Sequence, residues 1–120
     1  MNIARATSWE GSAANAERED GTPGSTLRNA VSEPERRYLL QYLLLNRYMV
    51  TRADAAEEVA ARTQDTGREA VSDDDRTRAE IRLEHDHLPR LEAAGILEYD
   101  RASTMVALRP DAESAVRAAL

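Results

Sequence analysis

The sequence lacks cysteine, lysine and phenylalanine altogether, and it has one tryptophan and two histidines in 120 residues. The absence of cysteine excludes disulfide scaffolds, cysteine-ligated zinc sites and thiol catalysis. Two histidines leave little room for a histidine metal centre or a catalytic triad. No apolar run approaches the ~18 residues of a membrane span, and no export signal is apparent. We therefore expect a small cytoplasmic domain that is not an enzyme, carries no cofactor or metal, and does not enter a membrane.

Charge and alanine are what the sequence has in abundance: 16 arginines, 22 acidic residues, a formal charge of −6 and 21 alanines. Arginine in place of every lysine is typical of GC-rich coding, and with excess acid and alanine it is also typical of proteins from very salty cytoplasm. We predict a halophilic protein; the alternative is an ordinary acidic protein of chance composition. At ~1 M salt the Debye length is about 3 Å, so the rule that nucleic-acid binders are basic weakens.

The chain divides into a tail and a folded part. Residues 1–30 are small, polar and without hydrophobic period, which predicts a disordered tail. The folded domain is expected over residues 31–109, and its first helix starts at Ser32, with Glu35 completing a capping box and Pro34 in the first turn. This helix is apolar nearly all round, so it is either the central helix or it also meets a second subunit. Its most regular stripe is Tyr38, Tyr42, Leu45 and Met49.

Two further helices are predicted, each opened by a side-chain cap. Thr51 caps a helix over residues 52 to about 61, and a long polar loop follows it. Ser72 caps the next helix, in which the aspartates at 73–75 are favoured by the helix dipole and need no metal to explain them. We expect Pro89 to kink or divide this third helix and Gly95 to end it. The predicted inner face of the second helix is Ala53, Ala56, Val59 and Ala60.

The orientation of the third helix decides which side chains it presents. We take Ile81 as pointing inward, which at 100° per residue places Thr77, Leu88 and Leu91 within about 80° of it, on the buried side. His85 is then expected to be semi-buried and His87 to lie near the flank. Side chains at i and i+2 point about 200° apart, so these two histidines cannot share one metal ion.

The end of the chain predicts a hairpin and a helix. Residues 96–100 and 104–108 have the composition of two strands, and Pro110 opens an amphipathic helix over residues 110–120. The order of helix, short strand, helix, loop, helix, two strands and helix predicts a mainly α fold with a small β-hairpin. That fold is a winged helix-turn-helix with a C-terminal helix.

Three stretches carry a resemblance to a known family: residues 32–43 (SEPERRYLLQYL), 56–62 (AEEVAAR) and 83–91 (LEHDHLPRL). Together they are similar to haloarchaeal winged helix-turn-helix proteins, a largely uncharacterised family of transcription regulators. The match spans about residues 31–108, and it implies the winged-helix fold and an archaeal source. The sequence departs from the family pattern at residues 43–48 (LLLNRY), where a polar turn is usual.

Winged helices often lay the third helix in the major groove and touch phosphates with the wing. This predicts a transcription regulator that binds double-stranded DNA through the candidate contacts Arg76, Arg78, Arg82, Arg90 and Arg101. The stretch from Ser72 to Gly95 contains seven acidic residues and four arginines. Its net negative charge opposes the hypothesis that this helix binds DNA. The alternative is a non-enzymatic protein-interaction or adaptor module on the same fold. Whether the five arginines are free or tied to neighbouring carboxylates separates the two hypotheses.

We also expect a homodimer, because apolar stripes on the first and last helices would each want a partner. The candidate interface residues are Tyr38, Tyr42, Leu45, Val116 and Leu120.

Overall fold

A computed structural model describes residues 23–46 and 48–120. The helices in these ranges are α1 (Pro23–Val31), α2 (Pro34–Leu45), α3 (Arg52–Gln64), α4 (Asp73–Arg82), α5 (Leu88–Ala93) and α6 (Glu113–Ala119). The strands are β1 (Val50–Thr51), β2 (Leu97–Asp100) and β3 (Met105–Leu108). A π-helical turn, Leu83–His87, joins α4 to α5, and short 3-10 turns lie at Arg68–Ala70 and Pro110–Ala112. The predicted winged helix-turn-helix with a C-terminal helix is confirmed.

Helix α1 is the first difference from the sequence prediction, which has a disordered tail over residues 1–30. Residues 1–22 lie outside the described residues, but 23–31 form a helix that buries Leu27 and Ala30 against the core. The guanidinium groups of Arg36 and Arg37 donate hydrogen bonds of 2.8 and 2.9 Å to the carbonyls of Ala30 and Val31. Two buried apolar residues are too few to produce a visible hydrophobic period, so the sequence pattern does not reveal this helix.

The helix caps are predicted correctly at two of three positions. Thr51 and Ser72 each accept a hydrogen bond of 3.0 Å from the backbone N–H three residues on. The capping box at Ser32 is wrong, because the Ser32 hydroxyl instead donates to the carbonyl of Asn29 at 2.8 Å in the turn that follows α1. The carboxylate of Glu35 is therefore available for other partners.

The wing is a three-stranded antiparallel sheet of order β1-β3-β2. Val106 at its centre lies opposite Val50 on one side and Tyr99 on the other. The predicted hairpin is confirmed, with a turn over residues 101–104, and β1 adds a third strand. Gly95, at φ +76°, makes the reversal from α5 into the wing, a conformation that side chains with a Cβ rarely adopt.

The core surrounds α2, which packs against α1, α3, α6 and β3. Leu39, Leu40 and Leu43 of this helix are fully or almost fully buried. This central position accounts for a helix that is apolar on several sides. In α3 the inner face is broader than expected and shifted, with Ala55 and Ala61 buried and Ala53 exposed.

The orientation of α4, which is the third helix of the sequence prediction and is called the third helix below, is the second difference from the prediction. Ile81 is 53% exposed, whereas Leu83, Leu88 and Leu91 are completely buried. In a straight helix Leu83 and Leu88 would point about 140° apart. The π-helical turn places both inside, since the backbone N–H of Leu88 bonds to the carbonyl of Leu83, five residues back. Pro89, which has no N–H and crowds the preceding turn, accounts for the bulge at this point.

None of the described helices is long and apolar enough to cross a membrane.

Candidate interaction surface on the third helix

The exposed residues of α4 and of the turn after it are Asp73, Asp74, Thr77, Arg78, Ile81, Arg82 and His85. Four of them, Asp74, Thr77, Ile81 and His85, follow one another at spacings of three or four residues. We call these four residues the α4 strip. In DNA-binding winged helices the outward side of this helix is the one that approaches the bases. Ile81 near the middle of the strip is a large exposed apolar side chain, and the exposed Arg78 and Arg82 border the strip on one side. Thr77 and Ile81 were expected to face inward and His85 to be semi-buried, and all three are exposed. The π-helical turn explains the error, because it changes the phase of α4 relative to the buried Leu88 and Leu91.

An open groove of about 230 Å³ lies along one flank of the strip, between α4 and the start of α3. It is lined by Arg52, Thr77, Glu80, Ile81, Glu84 and His85.

Arg52 holds the wall of this groove together. Its guanidinium donates to Glu80 at 3.0 Å, to Glu84 at 2.8 Å and to the Tyr99 hydroxyl at 2.7 Å. These hydrogen bonds, Glu80 first, raise the pKa of Arg52. The Tyr99 hydroxyl in turn donates to Glu84, and this bond and Arg52 lower the pKa of Glu84. The hydrogen bonds among Arg52, Glu80, Glu84 and Tyr99 join α3, the α4 region and the wing, so they fix α4 relative to the sheet.

The five arginines predicted to contact DNA are each paired with a carboxylate. The pairs are Arg76–Asp73 (3.6 Å), Arg78–Asp75 (3.2 Å), Arg82–Glu35 (2.8 Å), Arg90–Asp86 (2.5 Å) and Arg101–Glu92 (3.3 Å). The side chains of Arg78, Arg90 and Arg101 are more than half exposed, and exposed pairs of this kind are weak and exchange readily. Arg82 is held more firmly, because it donates to both carboxylate oxygens of Glu35.

Arg101 is the one candidate on the wing turn. Its guanidinium lies 4.9 Å from the centre of the Tyr99 ring and 4.0 Å from a carboxylate oxygen of Glu84. The side chain therefore leans back over the wing towards α4, where acidic groups surround it.

The beginning of α4 is acidic. Asp73, Asp74 and Asp75 occupy its first turn, where the positive end of the helix dipole stabilises them. A helix that enters the major groove brings its N-terminal residues to the base edges, so these carboxylates would meet the phosphate-lined groove. Among residues 23–46 and 48–120, no group of three acidic or histidine side chains is arranged to hold a metal ion.

His87 forms a buried polar cluster that sequence analysis missed. It is 3% exposed, whereas a place near the flank was predicted for it. Its Nε2 lies 2.9 Å from Glu35 and its Nδ1 lies 3.4 Å from the guanidinium of Arg36. The Nδ1 atom also lies 3.5 Å from a carboxylate oxygen of Asp86. Nε2 is assigned as the donor to Glu35, because an ionised carboxylate only accepts. Proline two residues after a histidine is the sequence signal that could have suggested the π-helical turn that buries it.

This cluster has a firm electrostatic consequence for Glu35. The hydrogen bond from His87 is the main cause that lowers the pKa of Glu35 to about 2; burial opposes it and Arg82 adds to it. The ionised carboxylate thus ties the start of α2 to α4 and to the turn before α5.

The candidate dimer residues do not form one exposed surface. Val116 is completely buried in the core of its own chain, while Leu45 is 82% and Leu120 38% exposed. Tyr38 and Tyr42 are half-buried, and the guanidinium groups of Arg62 and Arg68 lie 4.8 and 5.9 Å from the centres of their rings.

The trihelical core, the short three-stranded wing and the exposed side of the third helix define a winged helix-turn-helix protein. The chain belongs to the DUF7344 family, a domain of unknown function, whose model matches residues 28–107. No curated protein and no solved structure matches the chain.

Proposed function

We propose that this chain is a non-enzymatic protein-interaction or adaptor module, and that its partner docks on the α4 strip. The observation that carries this proposal is the exposed isoleucine in the middle of the strip, while the two exposed arginines that border it, Arg78 and Arg82, are each paired with a carboxylate. A surface that binds DNA presents cations, because phosphate neutralisation supplies most of the non-specific affinity.

The ion pairs support the same conclusion. A phosphate that recruits Arg78 or Arg90 would leave Asp75 or Asp86 without its cation next to a polyanion. The stretch from Ser72 to Gly95 carries seven acids against four arginines. A protein partner has no such conflict, and exposed apolar residues within a polar rim are typical of protein interfaces.

The test compares two variants of a tagged chain captured from its own cells. Ile81→Asp places a charge in the strip, and Met49→Asp is the matched control, because Met49 is an apolar residue of similar exposure (61%) outside α4. We expect quantitative mass spectrometry to show proteins that accompany the wild type and Met49→Asp but not Ile81→Asp. Identical protein sets for all three chains would contradict the proposal.

A DNA-binding transcription regulator is the second candidate, and the exposure of Arg78, Arg90 and Arg101 favours it. These three side chains sit in weak surface pairs, so they are able to turn towards phosphate. Genome-wide crosslinking of the tagged protein in its native salt tests this function. Enriched sites that disappear in an Arg78→Ala, Arg90→Ala double variant would support DNA binding, and a profile equal to background would oppose it.

A homodimer and a halophilic archaeal source are proposals that accompany both functions. The lysine-free, acid-rich composition supports the source, and the exposed Leu45 and Leu120 support self-association. Sedimentation in about 1 M KCl, where charges are screened beyond about 3 Å, measures the mass in solution. A species of 13.3 kDa would show a monomer and refute the dimer.

A further inference from the structure

We infer that the groove beside Ile81 receives an apolar side chain of a protein segment that carries arginine or lysine on both sides of that residue. This inference rests on the proposed function and adds the chemistry of the partner.

The apolar part of the inference comes from Ile81. Its side chain is 53% exposed in the middle of a helix face and borders an open groove of about 230 Å³. The fold does not require an apolar residue at this position, since Leu83 supplies the buried contact of this part of the helix. An aliphatic side chain of a partner would cover Ile81 and remove both surfaces from water.

The charge of the partner follows from the carboxylates around Ile81. Glu80 and Glu84 each give one oxygen to Arg52. Among the described residues no hydrogen bond is made by the other oxygen of Glu80 or of Glu84, or by either oxygen of Asp74; the second oxygen of Glu84 lies 4.0 Å from Arg101. Arg78 and Arg82, on the opposite flank, each have a carboxylate partner, Asp75 and Glu35, so more carboxylate oxygens than cations are left without a partner around Ile81. Cations are the complementary charge.

The helix geometry sets the spacing that the partner needs. With a rise of 1.5 Å per residue, Asp74 lies about 10 Å before Ile81 and Glu84 about 4.5 Å after it. A partner helix lying along α4 would therefore need one cation about one turn from its apolar residue, facing Glu84. It would need a second cation about two turns away in the opposite direction, facing Asp74.

Synthetic peptides test the inference on the full-length chain. The basic probe is a labelled helical peptide of about 18 residues, with one leucine and arginines at the two positions given above. A charge-reversed probe has glutamates in place of the arginines, and an anchorless probe has serine in place of the leucine. By fluorescence anisotropy we expect the basic probe to bind at least about tenfold more tightly than either of the others. Equal binding of the charge-reversed probe would overturn the inference.

Variants of the chain locate the contact. Ile81→Asp should weaken the basic probe at least about tenfold, while Met49→Asp should leave it unchanged; circular dichroism checks that both variants are folded. Asp74→Arg should weaken the basic probe and improve binding of a probe with glutamate at the facing position. Equal weakening by Met49→Asp, or no exchange of preference by Asp74→Arg, would contradict the inference. The charge preference should shrink in about 1 M KCl, because the Debye length falls from about 8 to about 3 Å.

A photocrosslinking residue at Thr77 in living cells separates this inference from the proposed function. A crosslinked protein segment with the apolar residue between cations supports both. A crosslinked acidic or uncharged protein segment refutes the inference and leaves the proposed function standing. A crosslink to DNA, or none above that of the same group placed at Ala118, contradicts the proposed function as well.

Discussion

Replacing Glu35 by glutamine removes the charge of the buried cluster while keeping an oxygen that accepts from His87. The pKa of Glu35 falls from its ordinary 4.5 to about 2 in the folded chain. At 1.36 kcal/mol per pKa unit, this corresponds to at most about 3 kcal/mol of folding free energy. Since the side chain keeps 15% exposure, solvent screening reduces the expected loss at neutral pH to about 2 kcal/mol.

The pH dependence is the part of this prediction that a steric effect would not reproduce. A lowered pKa gives stability that is complete well above pH 4.5 and is lost as the pH falls through 4.5 towards 2. Urea unfolding of wild type and Glu35→Gln at constant ionic strength should therefore show two stabilities that converge below pH 4.5. Glu33→Gln, an exposed carboxylate two residues away, is the control and should cost less than about 0.5 kcal/mol. A gap that stays constant from pH 6 to about pH 2 would refute the electrostatic explanation.

Three further predictions concern the fold. Leu83→Ala should lower the free energy of unfolding by about 2–5 kcal/mol, whereas Ile81→Ala should cost less than about 1 kcal/mol; the reverse order in urea melts would show that α4 is turned as the straight-helix pattern predicts. Gly95→Ala should cost about 1–2 kcal/mol from its positive φ alone, because nothing lies within 4 Å of an added Cβ; a thermal midpoint equal to wild type would contradict this. Thr51→Ala should cost about 1 kcal/mol through the lost cap, and Thr51→Ser should restore most of it; equal losses in both variants would point to packing of the methyl group instead.

The acidic composition has a structural counterpart in the many ion pairs of the surface. Arg52 and Arg82 make multiple hydrogen bonds to carboxylates that fix neighbouring elements, while Arg78 and Arg90 make exposed pairs within one helix turn. Arginine suits the first role, because its planar group donates to two acceptors at once. The count of arginines on the third helix therefore overstates the positive charge available to a ligand.

Local signals predicted local structure well. The caps at Thr51 and Ser72, the positive φ of Gly95 and the two strands of the hairpin each depend on a few adjacent residues, and all were predicted correctly. The failures at Ser32 and in α1 are linked. Only two apolar residues of α1 are buried, so the pattern did not reveal this helix, and the Ser32 hydroxyl bonds to the turn that ends α1 instead of capping α2.

At the candidate site, too, the sequence determined some features and the tertiary structure decided others. Composition and element order determined that this chain is a small winged helix without cysteine chemistry, and they placed five arginines on its third helix and wing. Only the tertiary structure decided which side of that helix faces water. The π-helical turn over Leu83–His87 adds a residue to one turn, so Leu83 before it and Leu88 after it both lie inside, together with His87, and Ile81 and His85 are left outside. Periodicity arguments assume a constant 100° per residue, and one extra residue in one turn is enough to reverse their result. Likewise, only the folded chain shows that Arg82 pairs with Glu35, because the two residues are 47 apart along the sequence, whereas the partners of the other four arginines lie within nine residues.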